Sequence, residues 1–325
     1  MRKDYASQLT KLFQRRHLMK KLILIILLLS MVFLFLYAQA DFKEIPERGR
    51  FFVIGTGPSG PQMATLQALA TIQRMNAIAA SKEHAELFAD YVKEKPVLFD
   101  PWEGLFDYKG KFFRELSGKE MEEFMMERVR KIEERVKQIK SFLAQGEDVG
   151  LLDSGNPALF APGHWYVEQF DPDDVVIIPG MGSDAAAMAA LGKSVIPAHD
   201  TRFVMQTSPL YLMSPMKGGL QMLQDISKYP ITMVLYNALG NPEQLFAVLG
   251  QIFPSEMPCA VVYWAGYPDR QKIVQGTVAD MGRKLANEEE KYMGLLLIGR
   301  FLEGKPYEAA MHPPRSKKKQ AMTEK

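Results

Sequence analysis

Three short apolar runs in this sequence each lead directly into a turn that contains glycine. The runs and their turns are Phe51–Ile54 with Gly55–Gly60, Val149–Leu152 with Asp153–Pro157, and Val175–Ile178 with Pro179–Ser183. Continuous apolar runs of this length are typical of strands that are buried on both faces. Helices are predicted after the first turn, over 65–75, and after the third, over 185–191. This alternation indicates a parallel α/β sheet with ligand-binding loops at the carboxyl ends of its strands.

The rest of the folded chain continues the same pattern. Strands are predicted over 232–236, 260–264 and 295–298, with a helix over Pro242–Leu249 between the first two. A long amphipathic helix is predicted to begin at Ser117, which forms a capping box with Glu120, and to end at Gly146. The length allows two α/β domains, placed at 51–198 and 199–303. Residues 41–50 are interpreted as a linker, and residues 304–325 as a disordered basic tail.

The N-terminal 40 residues have the composition of a membrane-targeting segment. Residues 1–21 contain seven basic residues and one acid, and residues 22–38 contain no charge. Seventeen helical residues span about 25 Å, which suits one hydrophobic helix, either a membrane anchor or a signal peptide cleaved near Ala40. The signal peptide is compact if translation begins at Met19 rather than Met1. The positive-inside rule then places residues 41–325 on the non-cytoplasmic side, membrane-anchored or exported.

Charge and cysteine content exclude several classes of partner and site. The net charge of +2 becomes about −4 without the first 40 residues, because 33 basic and 37 acidic residues are left. Nothing in this balance indicates a nucleic-acid partner. The single cysteine, Cys259, excludes an intramolecular disulfide and a cysteine-rich metal centre. The histidines show no ligand spacing, so no metal site is predicted.

The first turn, Gly55–Gly60, matches the dinucleotide-binding pattern G-x-G-x-x-G. Two features argue against that interpretation. Residues 76–81, where a ribose-binding acid is expected, contain no carboxylate, and Pro61 removes an N–H group from the start of the expected helix. A dinucleotide oxidoreductase is therefore less well supported by the sequence than the two functions named below.

The order of four sequence blocks is more informative than any single turn. The blocks are 53–61 leading to 65–69, then 152–157, then 178–192, and finally 232–236 with 258–262 and 275–280. In this order and at this spacing, the chain from Phe51 to Leu302 resembles the tetrapyrrole (corrin/porphyrin) methylases.

The resemblance implies two α/β domains with a ligand cleft between them, in which S-adenosyl-L-methionine (SAM) binds as methyl donor. It also implies methyl transfer to a small-molecule acceptor, a tetrapyrrole or a related compound, and a homodimer. Glycine-rich loops suit this chemistry, because they let the backbone approach a cofactor closely. Matched by position, the cofactor-binding residues are Pro58, Ser154, Gly155, Asn156, Leu159, Gly182, Ser183, Asn237 and Ala265.

Several positions depart from the family's pattern. Asn156 replaces the Asp of an S-G-D-P turn, Ser59 and Gly60 replace a Gly-Asp pair, and Asn237 replaces a Met. Ser81 occupies the position at which some uroporphyrinogen-type members carry an acid proposed to accept a proton. No catalytic residue is therefore assigned. The preferred function is a SAM-dependent methyltransferase, and the alternative is an exported or anchored ligand-binding module that no longer uses SAM.

Overall fold

The strands that precede the glycine turns lie side by side in one parallel sheet. The protein is described by a computed structural model covering residues 48–196, 201–214 and 218–303. Its strands are β1 (Phe51–Gly55), β2 (Ala77–Ala79), β3 (Asp107–Tyr108), β4 (Lys111–Phe112), β5 (Val149–Asp153), β6 (Val175–Ile178), β7 (Phe203–Thr207), β8 (Ile231–Leu235), β9 (Pro258–Tyr263), β10 (Lys272–Thr277) and β11 (Gly294–Ile298). The first sheet has the order β2-β5-β1-β6, and all its strands are parallel. This confirms the parallel arrangement predicted for the N-terminal half.

Helices connect the strands and cover the sheets. They are α1 (Leu66–Arg74), α2 (Lys82–Leu87), α3 (Ala89–Val92), α4 (Gly118–Leu143), α5 (His164–Val167), α6 (Ser183–Leu191), α7 (Pro209–Leu212), α8 (Gly219–Ile226), α9 (Pro242–Leu249) and α10 (Met281–Ala286). α1 begins where Thr65 Oγ1 accepts a hydrogen bond from the Ala68 N–H at 3.0 Å. This bond satisfies one of the otherwise free N–H groups of the first turn.

The capping box predicted at the start of α4 does not form. The Ser117 side chain makes no capping hydrogen bond, and Gly118 has φ +53. The carboxylate of Glu120 instead accepts a hydrogen bond of 2.9 Å from Lys111 Nζ, on the β3–β4 hairpin. The helix itself is correctly predicted because its buried positions, Phe124, Val136, Ile139 and Leu143, follow the helical period.

Both faces of the first sheet are buried, and β1 shows how. Phe51 and Val53 pack into a cluster with residues of α4 and α5. Phe52 and Ile54 point to the other face and pack with residues of α1 and α3. Alternation along a strand sends successive side chains to opposite faces, so an unbroken apolar run is what a doubly covered strand requires.

The second sheet is mixed, with the order β10-β9-β11-β8-β7. β7 and β8 are parallel, and the other neighbouring strands are antiparallel. The strands predicted at 232–236, 260–264 and 295–298 form its centre, and α9 has the predicted bounds. The strands β7 and β10 were not predicted from the sequence. Both lie at the edges and are only partly buried, so they lack the continuous apolar pattern by which the central strands are recognised.

The described residues from Gly49 to Glu303 belong to one compact unit. Gly49 N–H donates to the Leu143 carbonyl at 3.0 Å, two residues before the predicted domain start at 51. No helix within 48–196, 201–214 and 218–303 is both long and apolar enough to cross a bilayer. The predicted span over 22–38, the domain boundary at 198–199 and the tail from 304 lie outside the described residues.

Candidate functional site

The three glycine turns lie at the carboxyl edge of the first sheet, and their backbones are in contact. Gly155 N–H donates to the Gly57 carbonyl at 2.8 Å, which joins the first turn to the second. A Cβ atom at Gly55 would lie 2.5 Å from Gly180 N, and one at Gly180 would lie 2.1 Å from the Gly155 carbonyl oxygen. Only glycine permits such approaches, so these residues pack the loops of β1, β5 and β6 against one another.

A cavity of about 460 Å³ opens above these turns. All nine residues predicted to bind the cofactor line it: Pro58, Ser154, Gly155, Asn156, Leu159, Gly182, Ser183, Asn237 and Ala265. Seven of them come from the turns of the first sheet, while Asn237 and Ala265 follow β8 and β9 of the second. The structure therefore brings the predicted residues to one place, within the size range of small-molecule sites. Their contacts with SAM stay a prediction.

Aromatic side chains form much of the remaining wall of the cavity. They are Trp102, Phe106, Phe160, Tyr236, Trp264, Tyr267 and Tyr292. Phe160 and Trp264 have φ of +54 and +50, a backbone region that bulky residues rarely adopt. Phe160 stacks on Tyr236 with ring centroids 5.0 Å apart. Strained residues of this kind cluster at ligand sites, and these two hold flat rings toward the cavity.

Asn156 shapes the second turn through its side-chain oxygen. Its Oδ1 accepts a hydrogen bond from the Ala158 N–H at 3.0 Å. A carboxylate at this position would accept the same bond, so the change from Asp to Asn removes a charge without removing the contact that orders the turn. The departure from the family's S-G-D-P pattern thus leaves the local backbone arrangement intact.

Asp153 is a cavity residue that the sequence analysis did not single out. It ends β5, is 3% exposed and lines the cavity beside Ser154. Its Oδ2 accepts a hydrogen bond from the Gly163 N–H at 3.2 Å. Burial raises the pKa of this carboxyl to about 7, against the opposing effect of hydrogen bonds from the Gly163 and Ser154 backbone. The sequence signal was present, because a carboxylate at the end of a buried strand faces the ligand edge of a parallel sheet.

Ser81 does not line the cavity. Its hydroxyl accepts a hydrogen bond from the His84 N–H at 3.2 Å and caps α2. His84 in turn lies beneath the first turn, with Nε2 3.0 Å from Thr56 Oγ1, and Thr56 donates to the Asp153 carbonyl at 3.0 Å. Because the Thr56 hydroxyl proton is committed to Asp153, the His84 ring donates to Thr56 through Nε2–H. Burial lowers the pKa of His84 to about 4, so this histidine is neutral at pH 7.

Cationic side chains are missing from the described cavity lining, but three arginines stack on aromatic side chains that line the cavity or contact its lining. The Arg270 guanidinium lies 3.3 Å from the centroid of the Trp264 ring, a cavity residue. Arg128 lies 3.7 Å from the Trp165 ring centroid, and Trp165 packs on Phe106 of the cavity at 5.5 Å.

The third arginine, Arg114, lies in the turn that directly follows the β3–β4 hairpin. Arg114 lies over Phe112 at 5.9 Å, and Phe112 contacts Tyr292 of the cavity at 5.5 Å. Arg114, Arg128 and Arg270 each stack on an aromatic ring, and the charge of Arg270 also acts on the Glu290 carboxylate. We call these three residues the rim arginines.

No group of three or more His, Cys, Asp or Glu side chains in the described part of the chain is arranged to hold a metal ion. His164 begins the short helix α5, and Tyr166 is buried there with its hydroxyl donating to the Pro101 carbonyl at 2.7 Å. Tyr166 is therefore a packing residue, whereas Trp102 and Phe106 face the cavity.

Comparison with known proteins agrees with the fold and with the arrangement of the turns. The profile of the tetrapyrrole (corrin/porphyrin) methylases matches residues 50–282. The chain belongs to this family. The tetrapyrrole methylases use SAM, and this chain has the open backbone that a cofactor needs, because Gly155 has φ +79 with no atom within 4 Å of its Cβ position. The residues around the cavity thus fit the cofactor of the family.

The relatives include enzymes of corrin and sirohaem synthesis. A cobalt-precorrin-4 C(11)-methyltransferase of Methanocaldococcus jannaschii is 25% identical over 261 residues, which cover 79% of this chain and 90% of the relative. A uroporphyrinogen-III C-methyltransferase of Bacillus subtilis is 23% identical over a match that covers 77% of this chain and 90% of the relative. Among solved structures, a cobalt precorrin-4 methyltransferase has a TM-score of 0.61 at 21% identity. The match covers 78% of this chain and 95% of that structure's chain.

The structural likeness extends to a protein with a bound cofactor product. A uroporphyrin-III C-methyltransferase from Thermus thermophilus, solved with S-adenosylhomocysteine, has a TM-score of 0.52 at 17% identity, with 78% of this chain and 99% of that one covered. These solved structures support the fold of this tetrapyrrole methylase.

Proposed function

We propose that this tetrapyrrole methylase transfers a methyl group from SAM to a ring carbon of a polycarboxylated tetrapyrrole, of the precorrin-4 or uroporphyrinogen-III type. The observation that carries the proposal is that three glycine turns and a wall of aromatic side chains line the same cavity. SAM supplies an electrophilic methyl group on a sulfonium centre when it is bound.

The glycine turns are the proposed cofactor side of the cavity. Gly155 and Gly182 present backbone to the cavity, and Ser154, Ser183 and Asn156 add hydroxyl and amide groups. Backbone and neutral side chains can hold the nucleoside and amino-acid parts of a cofactor without a metal. Leu159 and Ala265 supply apolar contact. The role of these residues is to hold the reacting atoms in line, which contributes much of the rate in a transfer between two bound molecules.

The aromatic wall and the rim arginines are the proposed acceptor side. A conjugated macrocycle is flat and stacks on aromatic rings, whereas its acetate and propionate groups are anionic and point outward. An apolar cavity with arginines stacked on its aromatic lining or on the rings behind that lining suits both properties. Arginine pairs with carboxylates through two parallel N–H groups, and stacking on Trp264, Trp165 and Phe112 holds the guanidinium groups in place.

Two titrations test this function without requiring turnover. Calorimetric titration of the full-length chain with S-adenosylhomocysteine is expected to give a micromolar dissociation constant. Fluorescence quenching with octacarboxylate uroporphyrin, tetracarboxylate coproporphyrin and dicarboxylate mesoporphyrin is expected to show affinity that rises with the number of carboxylates. Replacing Arg128 and Arg270 by Gln should remove most of that difference, while Arg283→Gln on α10 serves as a control. A folded chain that binds no S-adenosylhomocysteine would favour the non-catalytic module instead.

Residues 22–38 are proposed to anchor the chain in a membrane, or to direct export with cleavage near Ala40, with the folded part on the non-cytoplasmic side. The support is the basic flank followed by an uncharged run. Protease protection of spheroplasts or vesicles, with a C-terminal epitope, tests the orientation, and N-terminal sequencing tests cleavage. A homodimer is proposed from the family resemblance, and light scattering of the purified chain tests it.

A further inference from the structure

We infer that Asp153 accepts the proton released during methyl transfer, an assignment that rests on the proposed function. Among the cavity-lining residues described above, Asp153 is the single carboxyl group. It ends β5 immediately before Ser154 and Gly155, so it borders the proposed cofactor side. It also shares the cavity wall with Trp102 and Phe106, on the proposed acceptor side.

The reaction must release one proton. The acceptor carbon forms a bond to the methyl group with an electron pair of the macrocycle, and the bond from sulfur to the methyl group breaks with its pair left on sulfur. The sulfonium becomes a neutral thioether, so the positive charge moves to the macrocycle. Loss of a proton from a carbon or nitrogen conjugated with the acceptor carbon restores neutrality. A carboxylate that takes this proton becomes a neutral carboxylic acid, which a buried, apolar site favours.

The other polar groups of the cavity are poor proton acceptors. The lining serines, Asn156 and Asn237 carry neutral hydroxyl and amide groups. Burial raises the pKa of the Tyr236 and Tyr267 phenols further above their ordinary value. His84 is bonded to Thr56 and does not line the cavity. Asp153 thus combines basicity with access to the cavity.

The environment of Asp153 suits a base that works near neutral pH. Its pKa of about 7 comes from burial, opposed by hydrogen bonds from backbone groups, and no charged side chain contributes to the shift. The titratable and charged groups on the surrounding elements are His84 on α2, Arg135 on α4, His164 and Tyr166 on α5, and Asp100, whose charge acts on both His84 and Tyr166. Arg135 bonds to Tyr166 at 3.4 Å and to the Glu103 carbonyl at 2.8 Å, so it is committed elsewhere. A base with a pKa near the working pH is the most effective.

The test compares the full-length chain with Asp153→Asn and with a control, Asp90→Asn, which changes an exposed carboxylate on α3. Asparagine keeps an oxygen that can accept the Gly163 N–H, so the variant should fold, and urea unfolding checks this. Three quantities are measured from pH 5.5 to 8.5. They are the affinity for S-adenosylhomocysteine, the infrared absorption of protonated carboxyl groups, and the single-turnover rate of methyl transfer to uroporphyrinogen III and to cobalt-precorrin-4.

We expect the wild type and Asp90→Asn to show a carboxyl group that titrates near pH 7 and a transfer rate that rises over the same range. Asp153→Asn should lose that infrared signal and about a hundredfold or more of the rate, with its S-adenosylhomocysteine affinity changed less than threefold. Transfer by Asp153→Asn within threefold of wild type, with the same pH profile, would overturn the inference and leave the proposed function standing. A wild-type chain that binds S-adenosylhomocysteine but methylates neither macrocycle would overturn the proposed acceptor, and the inference with it.

Discussion

The hydroxyl of Ser59 donates a hydrogen bond of 3.0 Å to the carbonyl of Gly266, 207 residues further along the chain. Ser59 belongs to the first glycine turn, and Gly266 follows Ala265 in the loop after β9. The bond therefore joins a turn of the first sheet to a loop of the second, and both segments line the cavity through Pro58 and Ala265. Ser59 is 3% exposed and Gly266 is partly buried, so this contact is partly shielded from water.

Replacing Ser59 by Ala should loosen this junction. Loss of a buried hydrogen bond costs about 1 kcal/mol of unfolding free energy, plus the cost of an unpaired carbonyl. We expect a reduction of that size in urea unfolding and a severalfold loss of S-adenosylhomocysteine affinity in calorimetry. Ser255→Ala is the control, because the exposed Ser255 hydroxyl donates to the carboxylate of the neighbouring Glu256. Equal affinities for S59A, S255A and wild type would show that the junction does not order the cavity.

Gly155 offers a sharper test of the cofactor side. Its Cβ position is empty and it has φ +79, so a Gly155→Val side chain would project from the turn into open space. Gly192, at the far end of α6, also has φ +60 and an empty Cβ position, but it does not line the cavity. Both valine variants suffer similar backbone strain, of about 1–2 kcal/mol.

Only Gly155→Val should lose measurable S-adenosylhomocysteine binding. Calorimetry on the two variants, with unfolding curves to compare their stability, separates blocked access from general strain. Retained affinity in Gly155→Val would contradict the assignment of this turn to the cofactor. Equal loss in both variants would attribute the effect to strain alone.

The central strands and the glycine turns could be predicted because their signals are local. A buried strand such as β1 is recognised by four successive apolar residues, and the turn after it by its glycine and proline residues. The edge strands β7 and β10 could not be recognised in this way, because none of their residues is fully buried and their sequences mix polar and apolar residues. Strand direction in the second sheet also depends on pairing between distant segments, which no local pattern encodes.

The cavity could be predicted in outline but not in its chemistry. Family positions brought together all nine proposed cofactor residues, yet they did not identify Asp153 or the rim arginines. The pKa of Asp153 depends on its burial in the folded protein, where β5 pairs with β1 from about 100 residues earlier in the chain. Arg270 stacks on the Trp264 ring because the loop after β9 folds back on itself. The shifted pKa and the stacked arginine arise from tertiary packing, so they could not be predicted from a single sequence.

Restoring the family's acid at Asn156 should have little effect. Asn156→Asp keeps an oxygen that accepts the Ala158 N–H, so the turn keeps its shape. We expect the S-adenosylhomocysteine affinity of this variant to lie within threefold of wild type. Asn156→Ala, which removes the acceptor, should lower the affinity further and destabilise the turn by about 1 kcal/mol. A large gain in affinity for Asn156→Asp would instead indicate that the lost charge had weakened cofactor binding in this chain.

His84 should make the protein sensitive to acid. Its pKa is lowered by burial to about 4 in the folded state, whereas an unfolded histidine titrates near 6.5. The unfolded state therefore binds more protons between these values, and stability that is present above pH 6.5 is lost as the pH falls toward 4. His84→Gln should reduce this part of the pH dependence, by about 2 kcal/mol in urea unfolding between pH 7 and pH 4.5. An unchanged slope would show that His84 is solvated in the folded protein.

Asp153 should have the opposite effect on stability. Its pKa is raised from about 4 in the unfolded chain to about 7 in the folded protein, so the folded state binds the extra proton over this range. The stability that this group contributes is complete below pH 4 and is lost as the pH rises through 7. Asp153→Asn does not titrate, so its stability relative to wild type should increase by about 2–3 kcal/mol between pH 5 and pH 8. Urea unfolding at both values measures this change, with Asp90→Asn as control. A constant difference between D153N and wild type would mean that the Asp153 carboxyl titrates near its ordinary pKa, and that it is ionised throughout the range in which we expect it to act as a base. Together with the infrared titration, this measurement separates the ionisation of Asp153 from its part in catalysis.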